Sequence, residues 1–151
     1  MLVYRITSSK YAHDISGIGA AFYGGRWNPK GIPVLYTGES KEIALLETIV
    51  HIPPLFIPKL DMLTIEIPNS ILEFKHEHLP KNWNKYPAPS NLAEIGKKWA
   101  LEAQHLALKV PSCIIQTAYN YILNCNHPDY NKKVKIVDQK RFHLDERLIK
   151  K

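Results

Sequence analysis

Eleven prolines punctuate these 151 residues, and their placement limits what the chain can build, because each one breaks a helix or ends an extended run. The longest apolar stretch, Ile52 to Leu60, contains three of them. No apolar run therefore approaches the roughly 18 residues that a membrane span requires. The chain must assemble from short elements. Its length fits a single domain, residues 1–151, large enough to bury roughly 70% of the surface its unfolded form exposes. An apolar share of 45% and a charged share of 23% exclude collagen-like and disordered classes. Two cysteines, Cys113 and Cys125, make no disulfide framework, and the first ten residues hold no apolar stretch of signal-peptide length. The expected setting is reducing and cytoplasmic.

Between the prolines, strand signals stand at Leu2–Ile6, at Pro33–Thr37 and at Met62–Ile67, the last ended by Pro68. A polar, glycine-containing loop runs to Gly31. Ser40 is placed to cap a helix reaching about His51, with Glu42 in its first turn and Pro53 and Pro54 beyond its end. Residues 69–90 read as an irregular connection. A longer helix is expected from Asn91, with Glu94 completing a capping-box variant, to about Leu108. Leu92, Ile95, Trp99, Ala103 and Leu106 recur at helical spacing and predict a core-facing stripe. Val110 and Pro111 break that helix, Cys113–Thr117 reads as a buried strand, and Val134–Val137 and Arg141–Leu148 complete the pattern. The class is α+β, a compact domain with a mixed sheet and flanking helices.

Twenty basic against fourteen acidic residues give a net charge of +6, which favours an acidic partner. The lysines are scattered apart from Lys132, Lys133, Lys135, Lys140, Arg141 and the closing Lys150 and Lys151. Dispersed charge of that kind serves solubility, so direct nucleic-acid binding is not expected.

Chemistry concentrates in a few places. Gly17 to Pro29 begins like a dinucleotide fingerprint, but Phe22 stands where the third glycine belongs and no strong strand leads into it. The Gly24-Gly25 pair permits close backbone approach and can aim Arg26 into a pocket; the plainer alternative is a glycine turn with a solvated arginine. Glu47 falls on the apolar stripe of Ile43, Leu46 and Val50, which is costly unless the carboxylate is paired or lines a cavity. A glutamate snorkelling at the core edge is the ordinary alternative. Tyr36 stands near the end of the preceding strand, and Ser112, between Pro111 and an expected strand, has a hydroxyl of the kind that often bonds local backbone. His76 and His78 lack a third ligand at a usual spacing, so no metal site is expected. Cys113 reads as inert core, and no Gly-x-Ser-x-Gly elbow is present.

These pieces together resemble the RES-domain family, named for its arginine, glutamate and serine motif. The matching segments are Val3-Tyr4-Arg5-Ile6, Gly24 through Gly31, Val34-Leu35-Tyr36, Ala44-Leu45-Leu46-Glu47 with His51, Val110-Pro111-Ser112, Ile122 through Tyr130, and Phe142 through Leu148. They occur in order along nearly the whole chain. Cys125 departs from the pattern, since relatives commonly carry proline there, and this touches a turn more than the expected pocket.

The resemblance implies the toxin of a bacterial toxin–antitoxin pair, with a fold similar to ADP-ribosyltransferases and NAD as substrate rather than cofactor. It implies Arg26, Tyr36 and Glu47 as the active-site trio, with Arg5 and Ser112 also in the NAD pocket. The expected reaction is cleavage of the nicotinamide–ribose bond by hydrolysis or phosphorolysis. Transfer of ADP-ribose to a protein is the alternative, and a basic RNA-binding module, without catalysis, is the rival from another class. The implied partner is a helix-turn-helix antitoxin of the Xre type, and a toxin homodimer within that complex is what the family suggests. Residue types fit NAD cleavage: Glu47 can stabilise cationic charge on ribose, Arg26 and Arg5 can fork to a pyrophosphate, Tyr36 can stack on nicotinamide, and Ser112 can hydrogen-bond substrate.

Overall fold

The computed structural model describes residues 1–149; Lys150 and Lys151 of the basic tail lie outside the described residues. Its elements are β1 (Leu2–Ser8), α1 (Ile18–Tyr23), β2 (Val34–Gly38), α2 (Lys41–Ile49), β3 (Leu60–Glu66), β4 (Ile71–Glu73), α3 (Ser90–Glu102), β5 (Ala107–Pro111), β6 (Tyr119–Asn124), α4 (Tyr130–Lys133) and β7 (Lys135–Phe142). The seven strands form one sheet in the order β4-β5-β6-β2-β1-β3-β7. Every pairing is antiparallel except β4 with β5, so the sheet is mixed. This is the expected α+β class.

The sheet is not uniform across its width. β1 pairs with β3 along its whole length, from Leu2↔Glu66 to Ser8↔Leu60, whereas it meets β2 at the single pair Tyr4↔Gly38. Beyond that pair Arg5 takes over, donating from Nη1 to the Tyr36 carbonyl at 2.9 Å. Alternation along the strands divides the apolar residues into cores on opposite faces. Val3, Leu35, Leu63, Ile65 and Leu123 pack with Tyr130 and Val134 in one; Val34, Leu108, Val110 and Ile122 pack with Trp27, Leu92 and Trp99 in the other. A smaller group joins Ile6 of β1 and Ala44 of α2 to Leu60 and Met62 of β3.

The helix from Ser40 forms as expected, its Oγ accepting from the Ile43 amide at 3.1 Å. Its inward face differs: Ile43 and Ala44 are buried, but Val50 is 59% exposed, so the stripe of Ile43, Leu46 and Val50 does not hold to its end. The helix stops at Ile49, and Val50 lies past the last turn that rests on the sheet.

The larger correction concerns α3. It starts at Ser90 behind Pro89, without a side-chain cap, and ends at Glu102, where Ala103 turns left-handed at φ 52°. Asn91 and Glu94 therefore lie inside the helix and make no capping box. Leu92 and Trp99 are buried as the stripe predicts, but Leu106 belongs to the other core, outside the helix. Leu106, Ala107, Leu108 and Val110 are all fully buried. A short run buried on both faces has no period that distinguishes helix from strand, and here the chain makes β5.

The expected strand Cys113–Thr117 is instead the turn joining β5 to β6, closed by Ser112 N–H on the Ala118 carbonyl at 2.9 Å. The strand lies one step later, at Tyr119–Asn124. β7 joins what read as two separate pieces, and only Glu146–Leu148 curls into a 3-10 turn. α1 and β4 occupy segments that read as loop and irregular connection; at six and three residues they are too short to show a period.

Candidate functional site

Three groups of polar side chains gather around β2. The first is the turn from Gly24 to Lys30. Gly24 has φ 73°, a backbone that favours glycine. Gly25 N–H and the Asn28 carbonyl close the turn at 2.9 Å. A Cβ on Gly25 would lie 2.6 Å from the Tyr36 hydroxyl, so only glycine lets the turn and β2 approach this closely. Asn28, 1% exposed, is the hub: its Nδ2 donates to the carbonyls of Ala20, Pro29 and Ile32, and its Oδ1 accepts from Tyr36 at 2.6 Å. The same hydroxyl accepts from Trp27 N–H at 3.0 Å. Burial raises the Tyr36 pKa well above the ordinary phenol range, against the lowering pull of the Trp27 amide and the Arg26 charge. Tyr36 is therefore a neutral phenol that donates to Asn28. From behind, Gly96 of α3 presses on Trp27, where any side chain at position 96 would overlap the Trp27 carbonyl.

Arg26 leaves this turn toward residues 83–85. Its Nη1 donates to the carbonyls of Trp83 and Lys85, each at 2.9 Å. One nitrogen thereby anchors the guanidinium, while Nε and Nη2 make no hydrogen bond among the described residues.

The second group surrounds Glu47. Gly38 is essential to it, because a Cβ there would sit 2.9 Å from Ala44 N–H and 3.1 Å from Ile43 Cγ2. Without one, the first turn of α2 settles onto β2, and Glu47 follows one turn later. Ser112 and Asn120 both donate to its Oε1, each at 2.7 Å. Asn120 stands on β6 opposite Gly38, and Tyr36 lies two residues along β2 on the same face, about 7 Å away by strand rise. Ser112 is 1% exposed, and its Oγ also accepts from Ile114 and Ile115 N–H at 3.1 and 3.3 Å. Its one proton therefore goes to Glu47.

The third group lies on the opposite face. Arg5 alternates with Tyr4 to the side that carries Val3 and reaches Tyr36 only through the backbone carbonyl. Burial lowers its pKa below the ordinary value, opposed by nearby Tyr130, Cys125 and Asp14; a guanidinium so shifted remains charged. Cys125 sits beside it. Burial pushes that thiol up to about 11, and its Sγ lies 3.8 Å from the Ile15 carbonyl.

Of the residues singled out in the sequence, the structure joins Glu47 directly to Ser112, and Tyr36 to the turn that carries Arg26. Arg5 stands apart, on the far side of β2. Two residues without an assigned part prove central, Asn28 and Asn120. Asparagine is disfavoured in a strand interior, and Asn120 between Tyr119 and Tyr121 is the visible signal for the second. Among the described residues no group of three or more His, Cys, Asp or Glu side chains is placed to hold a metal.

This sheet with its helices is a fold already seen in a solved structure. A chain in the crystal structure of the M. tuberculosis MbcT–MbcA toxin–antitoxin complex superposes with a TM-score of 0.78 at 16% identity, covering 98% of this chain and 86% of that one. The sequence narrows the class further: the RES domain model matches residues 2–145, and the chain belongs to that family. It is 36% identical to Toxin Res of Yersinia enterocolitica over 98% of this chain and 99% of the relative. It is 37% identical to Toxin Res of Photorhabdus laumondii, over 99% and 98%. The Prs ADP-ribosylating toxin of a Sphingobium strain is 34% identical over 93% and 89%. Among the described residues no helix is long and apolar enough to cross a membrane.

Proposed function

We propose that this chain is the toxin of a toxin–antitoxin pair and that it cleaves the bond between nicotinamide and ribose in NAD. The observation that carries the reading is the state of Glu47. Its carboxylate is held on one oxygen by two neutral donors, Ser112 and Asn120, and no cation pairs with it among the described residues. A fixed anion without a counter-ion is suited to charge that develops during a reaction. When the C1′–N bond breaks, its electron pair leaves with neutral nicotinamide and ribose becomes oxocarbenium-like. Glu47 stabilises that cation, and an acceptor oxygen then attacks C1′ and loses a proton. Nε and Nη2 of Arg26 fork to the pyrophosphate, and Tyr36 lines the pocket between Arg26 and Glu47. Ser112 spends its proton on Glu47 and is no nucleophile.

The acceptor is water or phosphate in the first reading. The name of the Sphingobium relative, an ADP-ribosylating toxin, favours a protein acceptor as the second. The partner is a helix-turn-helix antitoxin of the Xre type that covers the pocket mouth and excludes NAD. Incubating the purified chain with NAD and measuring free nicotinamide tests the reaction and its acceptor, and titrating antitoxin at several fixed NAD concentrations tests the exclusion. Many-fold molar release without added protein supports hydrolysis, or phosphorolysis if it requires phosphate. Release that depends on a protein acceptor supports transfer. No release under any condition overturns the reaction and leaves an RNA-binding module as the surviving class.

A further inference from the structure

Asn120 belongs to none of the motifs that mark the site, yet it makes one of the two shortest contacts to Glu47. It comes from β6, Glu47 from α2 and Ser112 from the turn after β5, so three separate elements converge on one carboxylate. Both donors take the same oxygen, Oε1. Oε2 has no hydrogen-bond partner among the described residues. Only the NH2 end of the Asn120 carboxamide can face a carboxylate, so its direction follows from its partner. The approach is cleared by Gly38: opposite Asn120 in the ladder stands the one residue without a side chain.

From this geometry we infer that Asn120 is a positioning residue for the reaction: with Ser112 it clamps Oε1 of Glu47 and turns Oε2 toward the ribose of the substrate. The inference rests on the proposed role of Glu47 and adds which oxygen acts and what aims it. Two donors on one oxygen fix the carboxyl plane, which a single bond to Ser112 would leave free to rotate about the Oγ···Oε1 line. Ser112 is itself fixed by the Ile114 and Ile115 amides, so Asn120 supplies the remaining constraint. Such a residue acts on turnover and leaves substrate affinity almost untouched.

The test compares NAD turnover in the parent, Asn120→Ala and Asn120→Asp. Asn120→Ala is expected to stay folded and to lose kcat by about 10- to 100-fold, as for a hydrogen bond to a charged group, with KM within about threefold. Asn120→Asp keeps the shape but sets a second carboxylate against Glu47, so near neutral pH it should lose more. Its activity relative to the parent should recover as pH falls, because a protonated carboxyl at position 120 regains a donor. A structural role alone would give a flat ratio. Unchanged kcat in folded Asn120→Ala, or a flat ratio for Asn120→Asp, overturns the inference.

If the parent releases no nicotinamide, the proposed reaction fails and a second measurement decides the clamp by itself. The Asn120 side-chain amide resonances of 15N-labelled protein should move when Glu47→Gln removes the negative charge. Resonances that stay in place overturn the clamp whatever the reaction is.

Discussion

The Gly24–Lys30 turn and the Glu47 cluster both bear on the face of the sheet that carries Tyr36, but they are held by different kinds of bond. In the turn, Asn28 binds backbone carbonyls no more than eight residues away, and the glycines let main chain press against side chain. In the cluster, side chains 65 and 73 residues apart in sequence meet at one oxygen. The turn is a scaffold whose loss costs folding. On the proposed reaction, the cluster is a functional group whose loss costs chemistry. This contrast predicts how substitutions in the two places divide between stability and activity.

Glu47→Gln should separate them most sharply. It keeps the volume and an oxygen that can accept from Ser112 and Asn120, while removing the charge. Turnover should fall about 100- to 1,000-fold, the scale of losing one electrostatic contact to a charged transition state. The melting midpoint should stay within a few degrees of the parent. Parental NAD consumption by the folded variant would remove Glu47 from the chemistry and dissolve the distinction.

Arg26 leaves the turn and holds two carbonyls of residues 83–85 through Nη1, and in the proposed reaction its other nitrogens bind NAD. Arg26→Lys retains the charge but cannot reproduce a planar fork. Catalytic efficiency toward NAD is expected to drop about 10- to 150-fold, close to Arg26→Ala. A lysine variant near the parent would reduce Arg26 to a general attraction for anions.

The same contrast explains what the sequence made legible. The Ser40 cap, the strand at Val34–Gly38 and the Gly24-Gly25 turn are determined by neighbours a few residues away, and each stands where the local pattern puts it. Glu47 was visible because a carboxylate broke an apolar stripe. Asn120 was not assigned, because its meaning depends on Gly38 lying opposite it, and strand register is a property of the whole sheet. The overlong helix failed for a related reason: Leu106 continued the α3 period while belonging to a strand buried on both faces. The placement of Arg5 depends on the opening between β1 and β2, which no residue of β1 announces.

The smallest effect tests whether the turn is as tightly built as its distances indicate. Tyr36→Phe removes one hydroxyl and leaves Trp27 N–H without its acceptor and Asn28 Oδ1 without its donor. Unmet buried groups of this kind cost about 1–3 kcal/mol, to be read from chemical denaturation. Gly25→Ala should cost about the same for a different cause, because its Cβ would lie 2.6 Å from that hydroxyl and 2.9 Å from Asn28 Oδ1. The two causes share an atom. With Phe at position 36 the closest collision is gone, so the alanine should be better tolerated there than in the parent. The double variant should be more stable than the sum of the singles predicts, with a coupling of about 0.5–3 kcal/mol. Strict additivity would mean that the turn relaxes away from β2 at little cost. It would then be a flexible carrier for Arg26, and the contrast with the Glu47 cluster would rest on sequence separation alone.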